Sequence, residues 1–131
     1  MSHADGSGFN VILEVIFEDQ VRWLARIPRP EICFLPVQTT LSYAATLKYL
    51  RTHTTIPVPQ VYGYAAQSDT DNPTGVSYVL MEKLKGEPLP EIPCEESEPT
   101  PCDLVNAKKV HQQLADIQLQ LGKAITQARE K

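Results

Sequence analysis

Prolines decide where this chain can hold regular structure. A pyrrolidine ring fixes φ and removes a backbone N–H, so clustered prolines interrupt helices and sheet interiors alike. The sequence has 11 prolines in 131 residues. Pro28, Pro30 and Pro36 make one interruption, Pro57 and Pro59 a second, and Pro88, Pro90, Pro93, Pro99 and Pro101 a third. Ordered elements are expected between these points.

The first stretch is rich in strand formers. Phe9 to Phe17 reads F-N-V-I-L-E-V-I-F, and after Glu18-Asp19-Gln20 comes V-R-W-L-A-R-I. In the second run Val21, Trp23, Ala25 and Ile27 share one face, and Arg22, Leu24 and Arg26 share the other. Strand, short polar break and strand predict an antiparallel hairpin. The break lacks the Asn-Gly or Asp-Gly pair that would fix its turn type.

Beyond Pro36, a helix capped by Thr39 or Thr40 is predicted to run to about Thr52, with Tyr43, Leu47 and Leu50 on one stripe. Ile56-Pro57-Val58-Pro59 ends it. Gln60 to Ala65 and Gly75 to Met81 read as two more strands around the polar turn Ser68 to Gly75, in which Asp69 and Asp71 suit turn chemistry better than a cation site. The order ββαββ predicts an α+β fold, a small antiparallel sheet of about four strands with one packed helix.

Residues 86–103 change character. Five prolines mix with Glu87, Glu91, Glu95, Glu96, Glu98 and Asp103, a composition that disfavours a packed core and predicts an acidic linker. From Leu104 a C-terminal amphipathic helix is expected, because Val110, Leu114, Ile117, Leu121 and Ile125 recur at helical spacing. The organisation is therefore 1–85, 86–103 and 104–131. The stripe over 110–125 predicts self-association or a protein partner.

Composition excludes some classes of function. A net charge of -4 argues against nucleic acid and anionic membrane as partners, since both call for a basic surface. No apolar run reaches the length of a bilayer, and the first residues lack the pattern of a signal peptide. Cys33, Cys94 and Cys102 are expected as free thiols in a cytoplasmic protein, although Cys94 and Cys102 could pair in an oxidising compartment. His111, without a second ligand nearby in sequence, is not expected to bind metal.

Five segments in order resemble the N-terminal lobe of the aminoglycoside phosphotransferase family, a branch of the protein-kinase-like fold. Gly6-Ser7-Gly8-Phe9-Asn10 is similar to a short Gly-rich loop, and Trp23-Leu24-Ala25-Arg26-Ile27-Pro28 to the strand bearing the phosphate-binding base. Ser42 to Leu50 followed by Ile56-Pro57-Val58-Pro59-Gln60-Val61-Tyr62 resembles the lobe's helix and the entry to its next strand. Asn72 to Glu82, with Lys85-Gly86-Glu87-Pro88-Leu89 after it, resembles the strand into the interlobe hinge. His111 to Ile117 looks like the first long helix of the C-lobe. Together these cover residues 6–121.

The resemblance implies ATP, with Mg2+, as cofactor. Gly6, Ser7, Gly8 and Asn10 would cover the phosphates, Arg26 would grip them, and the hinge segment Met81, Glu82, Lys83 and Leu84 would meet the adenine. The family's catalytic His-Gly-Asp and its metal-binding Asn and Asp have no counterpart in this sequence, so no catalytic residue is assigned and the chain as given is not expected to turn over. Two further departures accompany this. Tyr43 stands where the family places a glutamate, and its hydroxyl is expected to reach Arg26. Almost nothing precedes Gly6, so no strand is expected to lead into the loop. Two functions follow: a truncated phosphotransferase, inactive as given, or a nucleotide-binding or protein-interaction module whose affinity for nucleotide is weak, on the order of millimolar.

Overall fold

The computed structural model of the protein describes residues 4–5, 8–87 and 101–130. The chain divides into two compact units, Met1–His53 with Pro57–Leu84, and Thr54–Ile56 with Lys85–Lys131. Gly6, Ser7, Cys94 and most of the acidic linker lie outside the described residues.

The first unit is α+β. Its strands are β1 (Ala4–Asp5), β2 (Asn10–Ile16), β3 (Arg22–Pro28), β4 (Val61–Ala65) and β5 (Tyr78–Glu82), and its helix is α1 (Pro36–His53). They form an antiparallel sheet in the order β1-β2-β3-β5-β4. Four strands were expected and five are present. The additional one, β1, precedes Gly6 and pairs with β2 through Ala4 opposite Leu13 and Asp5 opposite Ile12. The segment before Gly6, short as it is, supplies a strand where none is expected from its length.

The β2–β3 hairpin shows how a turn without Asn-Gly is made. Gln20 N–H donates to the Phe17 carbonyl at 2.9 Å, and the Asp19 carboxylate accepts the Val21 N–H at 3.2 Å. Gln20 takes the left-handed conformation at φ 67°. That is the pattern of a three-residue hairpin loop, with glutamine where glycine is preferred.

Helix α1 begins at Pro36, not at Thr39 or Thr40. Proline is well placed at a first helical position, because its missing N–H would have no intrahelical partner there and its φ is already helical. The Leu35 carbonyl takes the first helical bond, from Thr39 N–H at 2.9 Å. Neither threonine caps the helix. The Thr39 hydroxyl accepts the Cys33 thiol at 3.7 Å, and Thr40 is fully buried with its hydroxyl unpaired among the described residues.

Strand register puts Ile12, Glu14, Leu24, Arg26, Val79 and Met81 on one face of the sheet. Helix α1 covers that face. Tyr43 reaches Arg26 and Met81, and the Lys48 ammonium lies 4.5 Å over the Tyr64 ring. Ala44, Leu47, Val79 and Met81 are buried there. Each large side chain among them contributes roughly 1.5–3 kcal/mol of burial. On the opposite face Trp23 packs edge-on against Phe17 and stacks on Tyr62, with ring centres 4.3 Å apart in the stacked pair. A β-bulge makes the stack possible: Val61 and Gly63 oppose consecutive residues of β5, leaving Tyr62 as the extra residue.

The β4–β5 loop is held by side chains. Asp69 accepts the Ala66 N–H at 2.8 Å, and Asn72 donates to the carbonyls of Ala66 and Val76 while accepting from Thr74. Buried Ser77 accepts the Gln67 N–H.

In the second unit the helix α2 runs over Pro101–Arg129, starting three residues before Leu104 and again at a proline. Gln120 accepts both the N–H and the hydroxyl of Thr55, at 2.9 and 3.1 Å, and donates to Asp116 at 2.7 Å. Of the apolar stripe, Leu114 and Ile125 stay exposed, whereas Val110, Ile117 and Leu121 are half-buried. No helix is long and apolar enough to cross a membrane among the described residues.

Candidate anion-binding site

Arg26 sits near the C-terminal end of β3, a central strand, opposite Ile12 on one side and Val79 on the other. Its guanidinium lies 3.9 Å from the centre of the Tyr43 ring. The tyrosine therefore engages Arg26 through its π face, while its hydroxyl, expected to bond Arg26, donates to Met81 Sδ at 3.8 Å. A ring beneath a guanidinium holds the cation in place without neutralising it. Among the described residues no carboxylate pairs with Arg26, and none of its guanidinium N–H groups has a hydrogen-bond partner. Five donors in a planar fork remain available.

A concavity of about 380 Å³ opens beside this group. Asn10, Arg26, Cys33 and Thr39 supply its polar lining. Its apolar lining comes from Phe9 and from Ile32, Phe34 and Leu35 of the segment between β3 and α1. The sequence placed that segment as a bare connection. The signal that distinguishes it is the cluster of large apolar residues, I-C-F-L, packed between prolines where a solvated loop would be polar.

The fold therefore brings together two of the residues assigned to phosphate contact, Asn10 and Arg26. Gly8 lies in the turn just before them at φ 91°, a backbone state suited to glycine. Phe9, between Gly8 and Asn10, is tied down when its carbonyl accepts the Arg29 N–H at 2.9 Å.

The hinge residues lie elsewhere. Met81 is buried beneath Tyr43. Glu82 accepts the Gln60 N–H at 3.1 Å and stands 3.8 Å from Arg51. Lys83 donates to Glu14 at 2.8 Å, and Leu84 is exposed. None of the four lines the concavity. Glu14 also accepts from Arg22 at 3.1 Å. The Lys83 hydrogen bond, with Arg22 adding to it against the opposing effect of desolvation, holds the Glu14 carboxyl below its ordinary value.

Comparison with known proteins adds one relationship. The chain is 39% identical over 82 residues to proteins from two strains of Aspergillus fumigatus, each described as a subtelomeric hrmA-associated cluster protein. The match covers 63% of this chain and 16% of the length of those relatives, so the chain spans only a small part of them. No protein-family profile and no solved structure matches it.

Proposed function

We propose that the first unit is the phosphate-binding lobe of an ATP-dependent small-molecule phosphotransferase of the aminoglycoside phosphotransferase kind, and that this chain alone is inactive. The observation that carries the reading is Arg26, a cation fixed on a central strand with its donors free at a concavity. Guanidinium grips phosphate oxygens bidentately and stays charged at any physiological pH, which suits it to the role. Asn10 stands beside it, and Gly8 lets the backbone turn just ahead of it.

The fit to Mg2+ is different. Among the described residues no group of three or more metal-ligating side chains converges, so in this reading the metal is held by residues beyond these. The sequence contains no His-Gly-Asp, so in this reading no residue of the chain is assigned to accept the proton of an attacking hydroxyl. The chain's own contribution is to bind and orient phosphate, in a cytoplasmic setting where ATP is abundant.

The test is calorimetric titration of ATP into the chain, with and without Mg2+. We expect a dissociation constant on the order of millimolar, weakened at least about tenfold by Arg26→Met. Binding that ignores this substitution would remove Arg26 from the site and with it the reading.

A second reading, an interaction module, is favoured by the exposure of Leu114 and Ile125 on α2. Sedimentation velocity decides it: a concentration-dependent dimer that Leu114→Ser disperses supports association through this helix, and a monomer at all concentrations removes it.

A further inference from the structure

We infer that the concavity at Arg26 binds a small, singly charged anion carried on an apolar body: a carboxylate or sulfonate attached to a ring or a short chain. The inference uses the same cavity as the nucleotide reading and stands or falls separately from it.

The argument begins with the rim. Phe34 is 99% exposed, Phe9 69%, Leu35 58% and Ile32 42%, and all four line one concavity. Single exposed apolar residues are ordinary, but four large ones gathered around a hollow are the usual mark of a surface that something covers. The hollow has the volume of a small-molecule site, where apolar walls carry most of the contact and a few polar groups fix orientation.

Charge then selects the ligand's head group. Of the lining residues Arg26 is the sole cation, and none is acidic. Its free donors call for an anion, and the neighbouring Asn10 amide can add a donor of its own. One guanidinium balances one negative charge, and the four apolar residues gathered around it would be left uncovered by phosphates alone. The lining therefore also suits a singly charged amphipathic molecule. The anionic head meets Arg26 over the Tyr43 ring, and the apolar body lies against Phe9, Ile32, Phe34 and Leu35.

Naphthalene-2-carboxylate and its neutral amide, naphthalene-2-carboxamide, share one apolar body and differ in charge, so they test this on the full chain without any mutation. Both are titrated calorimetrically, ATP is titrated in parallel, and alkylation of Cys33 by N-ethylmaleimide is followed by peptide mapping. Cys33 lines the same hollow and serves as the internal reporter. We expect the acid to bind at least about tenfold more tightly than the amide and to slow Cys33 alkylation. Arg26→Met should erase the difference between acid and amide. Phe34→Ser, at a fully exposed position that folding does not need, should weaken both several-fold. Equal affinity for acid and amide, absence of binding by either, or binding that leaves Cys33 unprotected overturns the inference. ATP binding without discrimination between acid and amide sinks this inference and leaves the nucleotide reading intact. Discrimination without ATP binding does the reverse.

Discussion

The guanidinium of Arg26 rests on the face of Tyr43, 3.9 Å from the ring centre, where a carboxylate would be expected to hold such a cation. The difference has a chemical consequence. A carboxylate partner would occupy donors and cancel charge, whereas an aromatic face leaves the outward N–H groups available. The ring is itself tethered, since its hydroxyl donates to Met81 Sδ on β5. Helix α1 thereby fixes an open cation on the sheet without quenching it.

This pair predicts a graded response at Tyr43. Tyr43→Phe keeps the ring and loses only the weak contact to sulfur, so it should change stability by less than about 0.5 kcal/mol. Tyr43→Leu removes the π face from a half-buried guanidinium and should cost about 1–2 kcal/mol. Urea denaturation of the two variants side by side separates the effects. Equal costs would mean that the ring face does not hold Arg26.

Gln20 adopts φ 67°, a conformation that side chains bearing a Cβ pay for sterically. Gln20→Gly should stabilise the hairpin by about 0.5–1 kcal/mol, because relief of that strain outweighs the greater freedom of glycine in the unfolded chain. A rise in the thermal midpoint checks it, and a fall would show that the Gln20 side chain makes a contribution of its own.

Thr40 presents the opposite opportunity. Its hydroxyl is fully buried and finds no partner among the described residues. Thr40→Val removes the desolvated hydroxyl while nearly preserving shape, and should gain about 1 kcal/mol. Thr40→Ser keeps the hydroxyl and deletes the methyl, and should lose about 1 kcal/mol. Chemical denaturation of both variants tests the sign in each direction.

Glu14 sets an acid limb on stability. Its carboxyl is held below the ordinary 4.5, first by the Lys83 hydrogen bond and then by Arg22. The unfolded chain therefore takes up this proton at higher pH than the folded one does. The contribution is fully present above the unfolded value and is lost as pH falls through the lower, folded value. Glu14→Gln should flatten the acid side of a plot of denaturation midpoint against pH while leaving its slope near neutrality unchanged. An acid limb identical in the two proteins would show that the pair is solvent-screened to no effect.

Much of the fold was legible locally. Alternation in Val21 to Ile27, the apolar run before it and the proline clusters locate the hairpin, the helix and the later strands within a few residues, because side-chain periodicity and proline sterics act over short range. Helix starts were less so. Thr39 and Thr40 have the chemistry of caps, yet Pro36 suits a first turn better, and sequence patterns do not weigh these against burial of Thr40. The candidate site was legible in part. Asn10 and Arg26, singled out through the resemblance, both line the concavity, whereas Ile32, Phe34 and Leu35 gave no periodic signal and join them there only through the fold.

The sequence by itself determined the alternation that puts Arg26 and Trp23 on opposite faces of one strand. Only the tertiary structure decided which face α1 would cover, and it covers the one bearing the arginine. That choice depends on partners distant in the chain: Tyr43, which meets both Arg26 and Met81, is brought to them by no local window. Packing the helix there covers one side of a charged group, and the arrangement holds because the aromatic face attracts the cation without taking up its hydrogen-bond donors.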